Sequence, residues 1–205
     1  LFAAGTIDAS TTIDYMYPYE SGLMLCTQQH GSIFYSLRRQ SLYSPSQKGY
    51  PIEPLNERIN CLMADSHDNL WIGTADQGCR AWYHDRNRFT TNPIRSHSMS
   101  HTSVEALPAD SHDRIWIGTL NQGLMMFDPN TMQEMEVDMS ELFGDPQLIR
   151  SAVMALHCDS KGDLWVLAGT DRVARCRYDA RKGIFTDRFH VHGYRRFHRR
   201  SGIYG

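Results

Sequence analysis

One segment recurs along this chain with a tryptophan at the same place each time. It first stands as Ile59 to Thr74, reading INCLMADSHDNLWIGT. It returns as Val104 to Thr119, VEALPADSHDRIWIGT, and again as Val153 to Val166, VMALHCDSKGDLWV. In each copy the tryptophan follows the first aspartate by six positions: Asp65 and Trp71, Asp110 and Trp116, Asp159 and Trp165. The tryptophans lie 45 and 49 residues apart. A weaker copy spans Ile13 to Thr27, with Met24 at the tryptophan position, and Leu167 to Thr170 reads as an insertion in the last copy. An internal period of this size governs the fold before any local propensity does.

Each copy reads as four short strands. Ile59 to Asp65 is the first; Ser66 to Asn69 is a tight turn, where Asp and Asn tolerate left-handed backbone. Gly162 at the Asp68 position supports that turn. Leu70 to Thr74, Cys79 to His84 and Phe89 to Thr91 follow, with Ala75 to Gly78 and Asp85 to Arg88 as turns. A unit this short cannot bury both faces alone, so neighbours must stack. A radial stack of four-stranded sheets is a β-propeller. The expected fold is all-β: about four antiparallel blades, near 13–45, 59–91, 104–135 and 153–186, in a single unit over 1–205. Residues 187–205 read as a basic tail or the start of a further blade. The one helical hint is Asp138 to Phe143. Four blades are few for a ring of such units, and the chain opens at Leu1-Phe2-Ala3-Ala4-Gly5-Thr6 with the look of a strand under way. A fragment of a larger propeller is expected.

Composition narrows function. Net charge is -2, which gives no general pull toward nucleic acid or anionic lipid. No stretch approaches the ~20 apolar residues of a membrane span. The five cysteines, Cys26, Cys61, Cys79, Cys158 and Cys176, show no CxxC spacing and fall within expected strands, as small buried hydrophobes do.

The string Asp-x-x-(Gly/Asp)-x-(Leu/Ile)-Trp-(Ile/Val)-Gly-Thr followed by Gln-Gly and an aromatic, at Asp65 to Gly78 and Asp110 to Gly123 with a degraded copy from Asp159, resembles the two-component regulator propeller repeat. The resemblance covers most of residues 13 to 186. It implies the extracytoplasmic, periplasmic sensor region of a membrane-anchored hybrid histidine kinase, which senses an oligosaccharide and works without catalysis of its own. It also implies pairing, because such sensors work as dimers. Kinase, receiver and helix-turn-helix parts do not appear in these residues.

The recurring Asp65, Trp71, Gly73, Thr74, Asp110, Trp116, Gly118, Thr119, Asp159 and Trp165 are expected to build the blades, with all three tryptophans buried. His67 and His112 fall on turns. The pairs His97/His101 and His190/His192 have no further ligand nearby in sequence, so neither metal nor cofactor is expected. The better ligand candidates lie where second-to-third-strand turns and blade connections share one face: Gln28, Gln29, Tyr50, Arg58, Gln77, Arg95, Asn121, Gln122 and Arg150. Amides, arginine and tyrosine suit a neutral or acidic sugar. A propeller glycosidase or lyase would need a placed acid/base pair, and Glu53, Glu57, Asp76 and Asp145 are scattered. A plain protein-interaction propeller is the third reading. Expected partners are an oligosaccharide and either a second copy or further blades of the parent, with no nucleic acid and no membrane contact by these residues.

Overall fold

A computed structural model describes residues 11–19, 22–28, 31–36, 41–43, 57–86, 88–90, 93–94 and 99–192. Among the described residues sixteen strands form four antiparallel sheets, each a meander in chain order. The first holds β1 (Ile13–Tyr19), β2 (Gly22–Thr27), β3 (Gly31–Ser36) and β4 (Ser41–Tyr43). The second holds β5 (Ile59–Ala64), β6 (Leu70–Thr74), β7 (Cys79–Tyr83) and β8 (Arg88–Thr90). The third holds β9 (Val104–Ala106), β10 (Ile115–Thr119), β11 (Leu124–Asp128) and β12 (Gln133–Val137). The fourth holds β13 (Val153–Cys158), β14 (Leu164–Ala168), β15 (Arg172–Asp179) and β16 (Ile184–His192). First strands of neighbouring sheets touch one another, β1 to β5, β5 to β9 and β9 to β13, so these strands line the inner side of the stack. These are propeller blades.

Burial follows from the stacking. In β6 and β10 every residue is buried, because each sheet lies between two others and both faces of its second strand are covered. Leu62, Leu70, Ile72 and Trp82 pack toward Met24 and Cys26 of the first sheet. On the opposite face Cys61, Met63, Trp71 and Ala81 pack against Val104, Ile117, Met125 and Phe127 of the third. Trp116, Leu124 and Met126 in turn meet Val153, Val166, Ala174 and Cys176 of the fourth. Gly73 and Gly118 sit where the next inner strand comes closest. A Cβ at Gly73 would lie 2.7 Å from a Val104 methyl and overlap Cys61 Sγ; one at Gly118 would lie 2.7 Å from a Val153 methyl.

Three expectations need correction. Trp165 is 37% exposed, against 0% for Trp71 and 1% for Trp116. Trp71 is covered by Phe127, and Trp116 by Tyr178 and Phe185, each from the following sheet. No described residue of a following sheet covers Trp165. The insertion read at Leu167 to Thr170 is absent: Ala168 pairs with Arg172 across three loop residues, as Thr74 meets Gly78. The last strand also runs to His192, because β15 is long enough to pair His190 with Ala174 and His192 with Arg172. Part of the expected basic tail is therefore blade; the residues beyond His192, and Leu1 to Thr6, lie outside the described residues. The helical hint holds as α1 (Met139–Phe143), N-capped by Asp138 and closed by left-handed Gly144. Met139, Leu142 and Phe143 plug the seam between the third and fourth sheets.

Candidate functional site

The repeat's aspartates organise one face. Asp65 Oδ1 accepts from the backbone N–H of His67 and Asn69; Oδ2 accepts from Asn69 Nδ2 and from the Trp71 indole at 2.9 Å. Asp110 and Asp159 repeat the pattern with Trp116 (3.1 Å) and Trp165 (3.0 Å). Asp68 and Asp113 take left-handed φ of 58° and 59°, and Gly162 takes 81° at the same place. Asp65 and Asp110 each accept four N–H donors and Asp159 three, so these carboxylates close their turns and hold the indoles. The indole bond to Trp165 is the main cause holding the Asp159 carboxyl below its usual range.

The opposite face carries the loop residues. Thr74 Oγ1 donates to Gly78 O (2.8 Å) and accepts from Gln77 N (3.0 Å); Thr119 does the same with Gly123 (2.8 Å) and Gln122 (2.9 Å). The Gln77 carbonyl accepts from Arg80, whose guanidinium is gripped by Glu57 at 2.7 Å. Gln28 and Arg58, from different sheets, converge on Asp14: Gln28 Nε2 donates at 2.7 Å and Arg58 Nε lies 3.8 Å away. Asn121 is exposed, and Arg150 stands 3.6 Å from Glu136. Gln29, Tyr50, Arg95, His97 and Glu53 lie outside the described residues. Of the expected ligand residues, the structure thus brings Gln28 and Arg58 together, sets the Arg150 backbone against Gly123 of the Asn121/Gln122 turn, and leaves Gln77 on a separate turn.

Sequence reading missed what the inner strands contribute here. Each inner strand shifts register once, at its second residue, placing Asp14, Asn60, Glu105 and Met154 at equivalent β-bulges. A bulge re-aims its side chain out of the pleat. Asn60 Nδ2 reaches Ser103 Oγ (3.0 Å) and Glu105 Oε1 (3.3 Å) in the next sheet. The signal was in the sequence: Asp14, Asn60 and Glu105 are each the lone charged or amide side chain of their strand.

None of the expected ligand residues lines either of two clefts formed by described residues. The larger, about 410 Å³, lies on the aspartate-turn face between the second and third sheets, bordered by His67, Tyr83, Asp85, Arg86, Arg88 and Asn130. The smaller, about 200 Å³, runs between β12 and β16 beside Glu141 and Arg188. No three His, Cys, Asp or Glu gather in a metal-binding group among the described residues. Burial pushes the Cys26, Cys79, Cys158 and Cys176 thiols up to about 12, so the nucleophilic thiolate is scarce at neutral pH.

Stacked four-stranded sheets, three of the four tied by an aspartate–indole bond, define a β-propeller. Residues 53–76 match the family model of the two component regulator propeller, so the chain carries that repeat. The fold is that of the extracellular domain of the hybrid two component system BT4673 from B. thetaiotaomicron (21% identity, TM-score 0.62, covering 88% of this chain and 22% of that one). It is also that of the corresponding domain of BT3049 from the same organism (15%, TM-score 0.63, 89% and 24%). PorZ, a surface component of the type-IX secretion system of Porphyromonas gingivalis, is similar at 10% identity and TM-score 0.57, over 86% of this chain and 27% of that one. The chain spans under a quarter of the length of the two B. thetaiotaomicron domains. No curated protein matches it. Among the described residues no helix is long and apolar enough to cross a membrane.

Proposed function

We propose that this chain is part of the non-catalytic, ligand-sensing propeller region of a two-component sensor, periplasmic in a membrane-anchored parent with a histidine kinase, and that its ligand is a glycan. The regulator-propeller repeat at residues 53–76 carries the reading, and the likeness of fold to extracellular domains of hybrid two component systems supports it. Ligand contacts come from the loop face. There Asp14, Gln28 and Arg58 offer carboxylate, amide and guanidinium within one cluster, the set that pairs with vicinal hydroxyls. Gln77, Asn121, Gln122 and Arg150 extend the same face.

The outer face of the fourth sheet favours a further role in assembly. Trp165 and Phe189 are 37% and 56% exposed there, where the equivalent face of the other sheets is covered by a neighbour. Further blades of the parent, or a second copy, would cover it.

Titration of the full chain with neutral and acidic oligosaccharides, followed by calorimetry and by product analysis, tests the glycan reading. Binding without turnover, weakened by Arg58→Ala, is expected. Hydrolysis or elimination of a bound oligosaccharide, or no binding by any of them, contradicts it.

A further inference from the structure

The cleft on the aspartate-turn face belongs to no role described so far, and its charges are unevenly matched. Of its carboxylates, Asp65 is filled by four N–H donors. Asp113 is taken by the neighbouring turn: Ser66 Oγ donates to it at 2.6 Å and Ser66 N at 3.3 Å. Asp85, the third carboxylate of the lining, is exposed beside Arg86. The cations differ. Arg86 lies over the Tyr83 ring at 5.9 Å, a contact that leaves its N–H groups free to donate. Among the described residues neither Arg86 nor Arg88 has a carboxylate within ion-pair distance, although Asp85 adjoins Arg86 in sequence. His67 lies on the same rim with its Nδ1 3.9 Å from Asp113, and Asn130 adds an amide from the third sheet.

We infer that this cleft is a second binding site, on the face opposite the loops, for an acidic saccharide whose carboxylate or sulfate is held by Arg86 and Arg88. Guanidinium is the side chain suited to bidentate capture of either anion. The Tyr83 ring supplies the apolar wall that a pyranose face needs, and about 410 Å³ is the size of a small-ligand pocket and accommodates a disaccharide. The cleft lies between two blades, whose aspartate turns are clasped to one another by the Ser66–Asp113 bonds. A ligand bridging Arg86 of the second sheet and Asn130 of the third would therefore act on the angle between them. The inference rests on the glycan reading only in taking the anion to be borne by a sugar.

Calorimetry on the full chain with four probes decides it: digalacturonic acid, a sulfated heparin disaccharide, neutral cellobiose and inorganic sulfate. At least one acidic disaccharide is expected to bind, more weakly as salt rises. Arg86→Gln with Arg88→Gln should weaken that binding by about tenfold or more. Arg181→Gln, on an exposed turn of the fourth sheet, should leave it unchanged, with thermal midpoints checked for all variants. Acidic-sugar binding that survives Arg86→Gln with Arg88→Gln overturns the site. So does sulfate binding as tight as that of the sugars. Binding of cellobiose alone overturns the site while leaving the glycan reading intact. No binding by any saccharide overturns both.

Discussion

Trp71 donates its indole N–H to Asp65 across six residues of sequence, at 2.9 Å, and both side chains are buried. The bond ties the first turn of a blade to its second strand, and it presents the indole to the next blade. Replacing Asp65 by alanine would orphan the buried Trp71 indole donor and remove the partner of the half-buried Asn69 donors. Each buried unsatisfied group costs about 1–3 kcal/mol, so Asp65→Ala should lose about 2–4 kcal/mol in urea unfolding. A loss under about 0.5 kcal/mol, the scale of a neutral surface change, would show that the aspartate does not hold the blade.

Gly118 is glycine because the next inner strand approaches its backbone, with a Val153 methyl 2.7 Å from where a Cβ would stand. Gly118→Ala should cost about 1–3 kcal/mol, the usual penalty of overpacking. Adding Val153→Ala should recover part of that loss, because the clashing methyl is then gone. Independent, additive effects would contradict the close approach.

Acid should weaken the fold through Asp159 and Asp138, whose folded pKa values lie below their usual range. The main causes are the Trp165 indole bond for Asp159 and the Ser140 side chain for Asp138. Because the folded values are depressed, their stabilisation is complete above the unfolded aspartate pKa of about 3.9. It is lost as pH falls through the folded values. Asp159→Asn should flatten the acid limb of a plot of thermal midpoint against pH below about 4. An unchanged limb would mean that the Asp159 carboxylate contributes nothing to it.

The blades were legible because stacking forces a period. The Trp71, Trp116 and Trp165 spacing, the Ser66 to Asn69 turn and the Gly-Thr ending of the second strand each answer to one local geometry repeated along the chain. What escaped depends on neighbours in space. The exposure of Trp165 turns on whether another sheet covers it, which its own strand does not encode. The bulges at Asp14, Asn60 and Glu105 are register shifts between strands, visible in sequence only as a lone polar side chain in an apolar run. The Arg86 and Arg88 cleft arises where turns of two different sheets meet, so neither turn announces it.

Hydrogen exchange at the indole N–H groups tests the stacking most directly, since all four tryptophans lie among the described residues. Trp71 and Trp116 are covered on both sides, by their own sheet and by aromatic rings of the next. Trp165 makes the same bond to its aspartate and is 37% exposed. Stacked blades predict slow exchange at Trp71 and Trp116 and markedly faster exchange at Trp165. Equal rates at the three, or Trp71 and Trp116 exchanging as fast as Trp165, would contradict the sequential stacking on which both binding faces depend.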